Sequence, residues 1–319
     1  MMDSEVRHRK VGTNGLEMHI AEQGRSGGPL VVLLHGFPEL WISWRHQMRE
    51  LANQGYHVVA PDMRGYGDTD SPPSPSSYTY FHLVGDIIGL LDHLGHHQQK
   101  AFVVGHDWGA WVAWYLSLFR PDRVRALVIL GVPYMPRSAT TKPTESFNRL
   151  FGEGFYISQF QDPGRAEKSF SHYDCYTIMK KFLLIMKPDL LIAPPDMEII
   201  DFLDTPTSLP PWLTEEELQY FASKFQKSGF TGPLNYYRAM DLNWELLAPW
   251  QGSTVTAPTK FIVGDKDIGF SLGTKDYVEG EVFKSFVPKV EVVIMDGHHF
   301  IQQEKAEEDN ESVIKAMAK

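Results

Sequence analysis

The sequence has almost no cysteine. Its 319 residues include one, Cys175, which excludes an intrachain disulfide and a cysteine-rich metal site. This scarcity is typical of proteins from a reducing compartment, because disulfides persist in oxidising ones. We therefore interpret Cys175 as a small packed residue and expect a cytoplasmic protein.

The sequence also lacks an excess of positive charge and any long apolar segment. Lys and Arg number 30 against 40 Asp and Glu, so a protein that binds nucleic acid or an anionic membrane is not expected. The charged amino terminus is followed by no apolar stretch, so no secretory signal is predicted. Runs such as 182–186 are far shorter than the roughly 18 apolar residues of a membrane-spanning helix, and we predict a soluble protein.

What the sequence does contain is an alternation of short apolar runs with helical patterns. The apolar runs predict buried strands, and they lie at 31–34, 58–60, 101–104, 126–130, 259–263 and 290–294. Helical patterns separate the first four runs, at 40–54, 81–94 and 108–119. This alternation predicts an α/β fold with a mostly parallel sheet flanked by helices.

The middle of the chain differs in character from its two ends. Strand-like runs are absent from about residue 135 to residue 242, where aromatics, Met, Pro and charged residues crowd a mostly helical pattern. We predict that 135–242 forms a helical cap inserted into a core of residues 1–134 and 243–319. A chain of this length can bury a substantial apolar interior.

The segment Gly105-His106-Asp107-Trp108-Gly109 joins a predicted strand directly to a predicted helix. Small residues at both ends let the chain turn sharply, with the central side chain projecting outward. Such a turn places Asp107 beyond the carboxyl end of the strand, where open α/β sheets bind their ligands. An Asp at this position can also cap the following helix. The two glycines favour the interpretation of Asp107 as a covalent nucleophile.

A carboxylate nucleophile needs further groups to complete a reaction. Asp is already ionised at neutral pH and can attack a saturated carbon to give an ester, but release then requires attack by water. A histidine can activate that water, and the last predicted strand is followed by His298 and His299. The loop after the preceding strand offers Asp265 and Asp267 as the acid that orients the histidine. The chemistry leaves both choices open.

A second turn, His35-Gly36-Phe37-Pro38, follows the first of these apolar runs. The backbone N–H groups of Phe37 and Trp108 are placed to form an oxyanion hole for the Asp107 carboxyl during ester hydrolysis. We also predict that His35 and Trp108 bind the substrate.

Three histidines near the end of a predicted helix, His93, His96 and His97, offer the nearest approach to a metal site. We interpret them as residues of a solvated loop and predict neither a metal ion nor a cofactor.

Taken together, five segments resemble the epoxide hydrolases of the α/β-hydrolase superfamily, most closely the plant soluble type. They are HGFPELWISWRHQ at 35–47, PDMRGYGDTD at 61–70, GHDWGA at 105–110, GPLNYYRAMDLNW at 232–244 and GHHFIQQE at 297–304. The resemblance spans nearly the whole chain. It implies the α/β-hydrolase fold and the conversion of a small apolar epoxide and water to a vicinal diol.

The resemblance also implies roles for single residues. Two cap tyrosines of this family donate hydrogen bonds to the epoxide oxygen, and they correspond to Tyr156 and Tyr237, with Tyr236 as a rival for the second. The family pattern identifies His299 as the histidine that activates water and Asp267 as the acid that orients it.

Two alternative functions share parts of the pattern. A haloalkane dehalogenase resembles the chain in its Asp nucleophile and cap, but Phe37 stands where such an enzyme often has a halide-binding Asn. A non-catalytic small-ligand receptor on the same fold would not need Asp107, His299 and Asp267 together. The full set and the tyrosine pair favour an epoxide hydrolase. The sequence predicts no oligomeric state.

Overall fold

A computed structural model describes residues 5–97 and 99–317, which form one eight-stranded sheet with helices on both faces. The strands are β1 (Arg7–Thr13), β2 (Leu16–Gly24), β3 (Leu30–Leu34), β4 (His57–Pro61), β5 (Ala101–His106), β6 (Val124–Leu130), β7 (Thr259–Gly264) and β8 (Val290–Met295). Their order is β1-β2-β4-β3-β5-β6-β7-β8. The pairs of β2 with β1 and with β4 are antiparallel, and the others are parallel. The predicted α/β fold with a mostly parallel sheet is confirmed.

Fifteen α-helices lie within the described residues. They are α1 (Arg45–Asn53), α2 (Tyr80–His93), α3 (Trp108–Phe119), α4 (Pro143–Phe151), α5 (Tyr156–Gln161), α6 (Arg165–Phe170), α7 (Cys175–Leu183), α8 (Ile199–Phe202), α9 (Glu215–Ser228), α10 (Thr231–Arg238), α11 (Met240–Leu246), α12 (Thr274–Glu279), α13 (Glu281–Phe286), α14 (Ile301–Glu304) and α15 (Ala306–Met317). Short 3-10 segments occur at Trp41–Trp44, Pro75–Tyr78, Ala248–Trp250 and Phe270–Leu272. None of these helices has the combination of length and apolarity that crossing a membrane requires.

The insertion between β6 and β7 is helical. Helices α4 to α11 follow one another there, and their only extended pairing among the described residues is an isolated bridge between Phe155 and Ile192. The predicted cap boundary at residue 242 falls inside α11. The division into 1–134, 135–242 and 243–319 stays a prediction.

The central strands are buried on both faces of the sheet. Every residue of β3 and of β5 is buried, as expected for parallel strands covered by helices on each side. Leu83 of α2 and Trp114 of α3 belong to one apolar cluster, whereas Met48 of α1 and Val313 of α15 belong to a second. Burying a large apolar side chain contributes about 1.5–3 kcal/mol, so these layers fix the end of β5, where Asp107 lies.

The sequence did not predict β1 and β2. Arg7, His8, Arg9 and Lys10 give β1 a polar, largely exposed surface, and β2 carries charged residues among its apolar ones. Their backbone groups are satisfied by antiparallel pairing with each other and with β4. Pairing with neighbouring strands, not local apolarity, makes these residues strands.

Candidate active site

Asp107 lies at the sharp turn between β5 and α3, with φ 52° and ψ −118°. A positive φ is unfavourable for a residue with a side chain, by about 1–3 kcal/mol, and persists only where the surroundings impose it. A Cβ atom on Gly109 would lie 2.0 Å from the carbonyl oxygen of Leu34, and one on Gly36 would lie 2.3 Å from the Cβ of Asp107. Glycine at these two positions therefore lets the backbone approach closely and hold the Asp107 side chain at the carboxyl edge of the sheet.

The Asp107 carboxylate contacts two groups at this edge. The N–H of Phe37 donates to its Oδ1 at 2.7 Å, and its Oδ2 lies 3.6 Å from Nε2 of His299. Burial raises the pKa of Asp107, but His299, His106 and the Phe37 N–H outweigh burial and hold this pKa below its ordinary value. Asp107 is thus an ionised carboxylate with one oxygen fixed by a backbone donor.

His299 stands between two carboxylates. Its Nδ1 is 2.7 Å from Oδ1 of Asp267, which also accepts a hydrogen bond from the N–H of Ile268 at 2.6 Å. Burial lowers the pKa of His299, but Asp267 and Asp107 raise it well above its ordinary value. The structure thus brings together Asp107, His299 and Asp267, as the family resemblance implied.

The rival residues have other partners. The N–H of His298 donates to Glu304 at 2.8 Å, and Nδ1 of the same histidine lies 3.0 Å from the other oxygen of that carboxylate. Asp265 is exposed and accepts a hydrogen bond from the N–H of Gly297 at 3.3 Å. His298 and Asp265 therefore stabilise the loops around the site.

Two tyrosines from the helical insertion line the same cavity as Asp107. The rings of Tyr156, at the start of α5, and Tyr237, in α10, have centroids 6.0 Å apart and an interplanar angle of 78°. Burial, followed by the charge of Asp107, raises the pKa of both hydroxyls, which are therefore protonated. The hydroxyl of Tyr236 instead donates to the carbonyl oxygen of Arg64 at 2.8 Å, in the interior.

The cavity itself has a volume of about 160 Å³. Its walls are mainly apolar and include Pro38, Val132, Phe155, Phe182, Ile185, Leu190, Leu191, Ile268 and Phe300. The carboxylates of Asp107 and Asp267 and the imidazole of His299 also line it, and no Lys or Arg does so among the described residues. A few polar groups on an apolar wall suit a small apolar ligand.

His35 and Trp108 are not among the residues that line the cavity, and their role in substrate binding stays a prediction. Nε2 of His35 accepts the N–H of Met63 at 2.9 Å, and its Nδ1 then donates to the carbonyl oxygen of Gly36 at 3.0 Å. Trp108 packs edge-to-face on Tyr237 with ring centroids 5.0 Å apart. Because Trp108 begins α3, its N–H has no partner in a preceding helical turn, and it stays the predicted second oxyanion donor.

A buried polar network behind the site was not predicted. Glu39 accepts a hydrogen bond from the N–H of Gly36 at 2.9 Å and lies 2.6 Å from Nδ1 of His106. Nε2 of His106 is 2.8 Å from the carbonyl oxygen of His299, and Gln302 donates to the other oxygen of Glu39 at 2.7 Å. This network joins the two turns and the histidine loop. The one signal of this network in the sequence was the position of Glu39 and His106 beside the two glycine-containing turns.

The three histidines at the end of α2 have separate partners. Nε2 of His93 lies 3.3 Å from Nη1 of Arg9, and Nδ1 of His96 lies 3.1 Å from Oε1 of Gln99. Nδ1 of His97 lies 3.7 Å from Oδ1 of Asp92. Within residues 5–97 and 99–317, no three His, Cys, Asp or Glu side chains are grouped so that they could hold a metal ion.

The chain is similar to known proteins over nearly its whole length. A family model described as the alpha/beta hydrolase fold matches residues 29–306. Epoxide hydrolase 1 of Siraitia grosvenorii is 53% identical over 96% of each chain, and epoxide hydrolase A of Mycobacterium tuberculosis is 41% identical over 93% of this chain and 92% of that one. The crystal structure of an epoxide hydrolase from Vigna radiata has a TM-score of 0.91 at 47% identity and covers 98% of both chains. The structure of potato epoxide hydrolase I has a TM-score of 0.94 at 45% identity and covers 98% of this chain and 99% of that one.

Proposed function

Because the chain belongs to the epoxide hydrolases of the α/β-hydrolase fold family, we propose that it converts small apolar epoxides to vicinal diols through an ester on Asp107. One observation carries this proposal. The contact chain from Asp107 through His299 to Asp267 shares a small apolar cavity with Tyr156 and Tyr237. We further propose that residues 135–242, which contribute both tyrosines, act as the cap of the active site.

The first step forms the ester. A carboxylate oxygen of Asp107 attacks an epoxide ring carbon, and the bond between that carbon and the epoxide oxygen breaks. Negative charge then develops on the oxygen, where Tyr156 and Tyr237 donate hydrogen bonds and one of them supplies a proton. The phenols suit this role because burial keeps them protonated until the alkoxide forms.

The second step hydrolyses the ester. His299 accepts a proton from water, and the hydroxide attacks the carbonyl carbon of the Asp107 ester. The N–H groups of Phe37 and Trp108 stabilise the resulting oxyanion. Collapse of this intermediate expels the diol oxygen, which takes the remaining proton of the attacking water, and leaves the oxygen atom of that water on the Asp107 carboxylate. Asp267 stabilises the imidazolium until the proton on His299 returns to the tyrosine that gave one up in the first step.

Ester formation itself prepares His299 to act as a base. The negative charge of Asp107 is one of the causes that raise the pKa of His299. Alkylation neutralises Asp107, so this contribution disappears and the pKa of His299 falls. Ester formation therefore favours the neutral imidazole, which is the form that accepts a proton from water in the second step.

A single turnover of styrene oxide in heavy-oxygen water tests the proposal. We expect one heavy oxygen atom in the peptide that contains Asp107 and none in the first diol released, because water attacks the ester carbonyl. Label in the diol and not in Asp107 would contradict the ester mechanism. Turnover of a bromoalkane without turnover of styrene oxide would instead support a haloalkane dehalogenase, and failure to form any ester would favour a non-catalytic receptor.

A further inference from the structure

A surface depression of about 1050 Å³ lies far from the carboxyl edge of the sheet. It is formed where β1 and the end of β2 meet the ends of α1 and α2, beside His57 at the start of β4. Asp107, by contrast, follows the carboxyl end of β5. Because open α/β sheets bind substrates at the carboxyl ends of their strands, this depression is separate from the proposed active site.

Positive charge is concentrated in this depression. Four arginines, Arg7, Arg9, Arg25 and Arg49, and three histidines line it, together with Glu22 as its one acidic residue. In the whole chain, acidic residues outnumber Lys and Arg by 40 to 30. The depression therefore reverses the charge balance of the rest of the protein, and it attracts anions.

Glu22 does not neutralise this charge. Two of its contacts are hydrogen bonds from Nε and Nη2 of Arg9, at 2.7 and 3.1 Å, and the third is Nε2 of His57 at 3.2 Å. Burial raises the pKa of Glu22, but these partners lower it to about 2. The Glu22 carboxylate is thus paired with Arg9 and His57, and it does not neutralise the positive charges of Arg25 and Arg49.

The side chains of Arg25 and Arg49 are exposed to solvent. Neither side chain forms an ion pair or a hydrogen bond with the residues that the structure describes. Nearby, the buried Nδ1 of His57 also has no hydrogen-bond partner among them, although 4% of the residue is exposed. The positive charges of Arg25 and Arg49 are therefore free to attract an anion.

We propose that the depression binds the phosphate group of a small molecule, with the guanidinium groups of Arg25 and Arg49 as its principal ligands. A guanidinium presents several N–H donors in one plane, and this geometry matches the oxygens of a phosphate. Arg9, held in place by Glu22, adds to the positive potential at the site. A purely structural alternative is that these cations neutralise the carboxyl ends of α1 and α2, and that alternative predicts no phosphate binding.

Calorimetric titration of the full-length protein tests the proposal with two probes, inorganic phosphate and glycerol phosphate, at an ionic strength kept constant with chloride. The test variant is R25Q/R49Q, and the matched control is R149Q, which changes an exposed arginine of α4 outside the depression. We expect the unchanged protein and R149Q to bind with the same Kd. R25Q/R49Q should bind at least about tenfold more weakly, because two charge-assisted contacts are lost.

Epoxide turnover provides the check on folding, and it should be equal in all three proteins because both arginines are remote from Asp107. If both probes bind with equal affinity, the proposal is supported and free phosphate is a sufficient ligand. If glycerol phosphate binds more tightly, the proposal is supported and the ligand is a phosphate ester. Two results overturn it. They are equal binding by the unchanged protein and R25Q/R49Q, and no binding of either probe beyond that of chloride.

Discussion

Tyr237 and Tyr236 are adjacent, and we propose that the hydroxyl of the first is catalytic and that of the second is structural. Replacing each of them by Phe, one at a time, tests this distinction. Each substitution removes a single oxygen atom. The Tyr237 side chain lines the cavity with Asp107, whereas the Tyr236 hydroxyl donates to the carbonyl oxygen of Arg64 at 2.8 Å. We expect Tyr237→Phe to slow ester formation with little change in stability, and Tyr236→Phe to lower stability with little change in ester formation.

The expected magnitudes follow from what each hydroxyl contacts. Tyr237 would donate to an oxygen that gains negative charge, and a hydrogen bond to a charged group contributes about 1.5–3 kcal/mol. Losing it slows ester formation by about 10- to 150-fold, since ~1.4 kcal/mol corresponds to a tenfold change in rate. Tyr156 remains as a donor, so some activity persists. Tyr236→Phe leaves the buried carbonyl group of Arg64 without its partner and lowers the free energy of unfolding by about 1–3 kcal/mol.

Rapid-quench measurement of the Asp107 ester gives the rate of the first step, and urea denaturation gives the free energy of unfolding. The two variants serve as controls for each other because they differ in position by one residue. Slower ester formation in Tyr236→Phe, with an unchanged rate in Tyr237→Phe, would refute the assignment of Tyr237. Equal slowing in both variants would refute the distinction between the two roles.

Three further predictions concern the base, the cavity and a buried acid. In His299→Gln the ester on Asp107 should accumulate, as measured by mass analysis of the intact protein, and kcat should fall by about 10²- to 10⁴-fold. Normal turnover without an accumulated ester would contradict this prediction. An aryl epoxide that carries a carboxylate should have a kcat/KM at least about tenfold below that of the uncharged compound, because the two carboxylates of Asp107 and Asp267 outnumber the one imidazole of His299 and the described lining offers no Lys or Arg. Burial raises the pKa of Asp309 from its ordinary value to about 7, so the folded state binds the extra proton and stability falls as the pH rises from about 4 to about 7. Asp309→Asn should therefore stabilise the protein more at pH 8 than at pH 5 in urea denaturation, and an equal effect at both pH values would disprove it.

The parts of the fold that the sequence predicted are those that local patterns determine. The helix predicted at 108–119 is α3 (Trp108–Phe119), and the turn at its start is flanked by Gly105 and Gly109, where a Cβ atom would clash with the backbone. Central strands were also predictable because burial on both faces requires a continuous apolar run. By contrast, β1 pairs with β2 and β2 with the more distant β4, and the polar residues of these two strands form no continuous apolar run.

The choice between adjacent residues of the site could not be made from periodicity or chemistry. His298 and His299 are neighbours, and only the path of the loop after β8 directs one to Glu304 and the other to Asp107. The buried pair of Glu39 and His106 was missed for a related reason. Charged residues are usually solvated, and these two are brought together across 67 positions by the packing of β3 beside β5.

The proposed reaction also depends on contacts that hold the helical insertion against the sheet, because the nucleophile comes from β5 and both tyrosines come from the insertion. Arg45 of α1 donates to the carbonyl oxygen of Trp212 at 2.7 Å, in the insertion, and to Oε1 of Gln303 at 2.8 Å, beside the histidine loop. It also donates to Glu217 of α9 at 3.2 Å. One half-buried guanidinium therefore links the three parts of the chain that must be aligned. No local pattern reveals such a residue, because its partners Trp212 and Gln303 lie 167 and 258 positions away from it in the sequence.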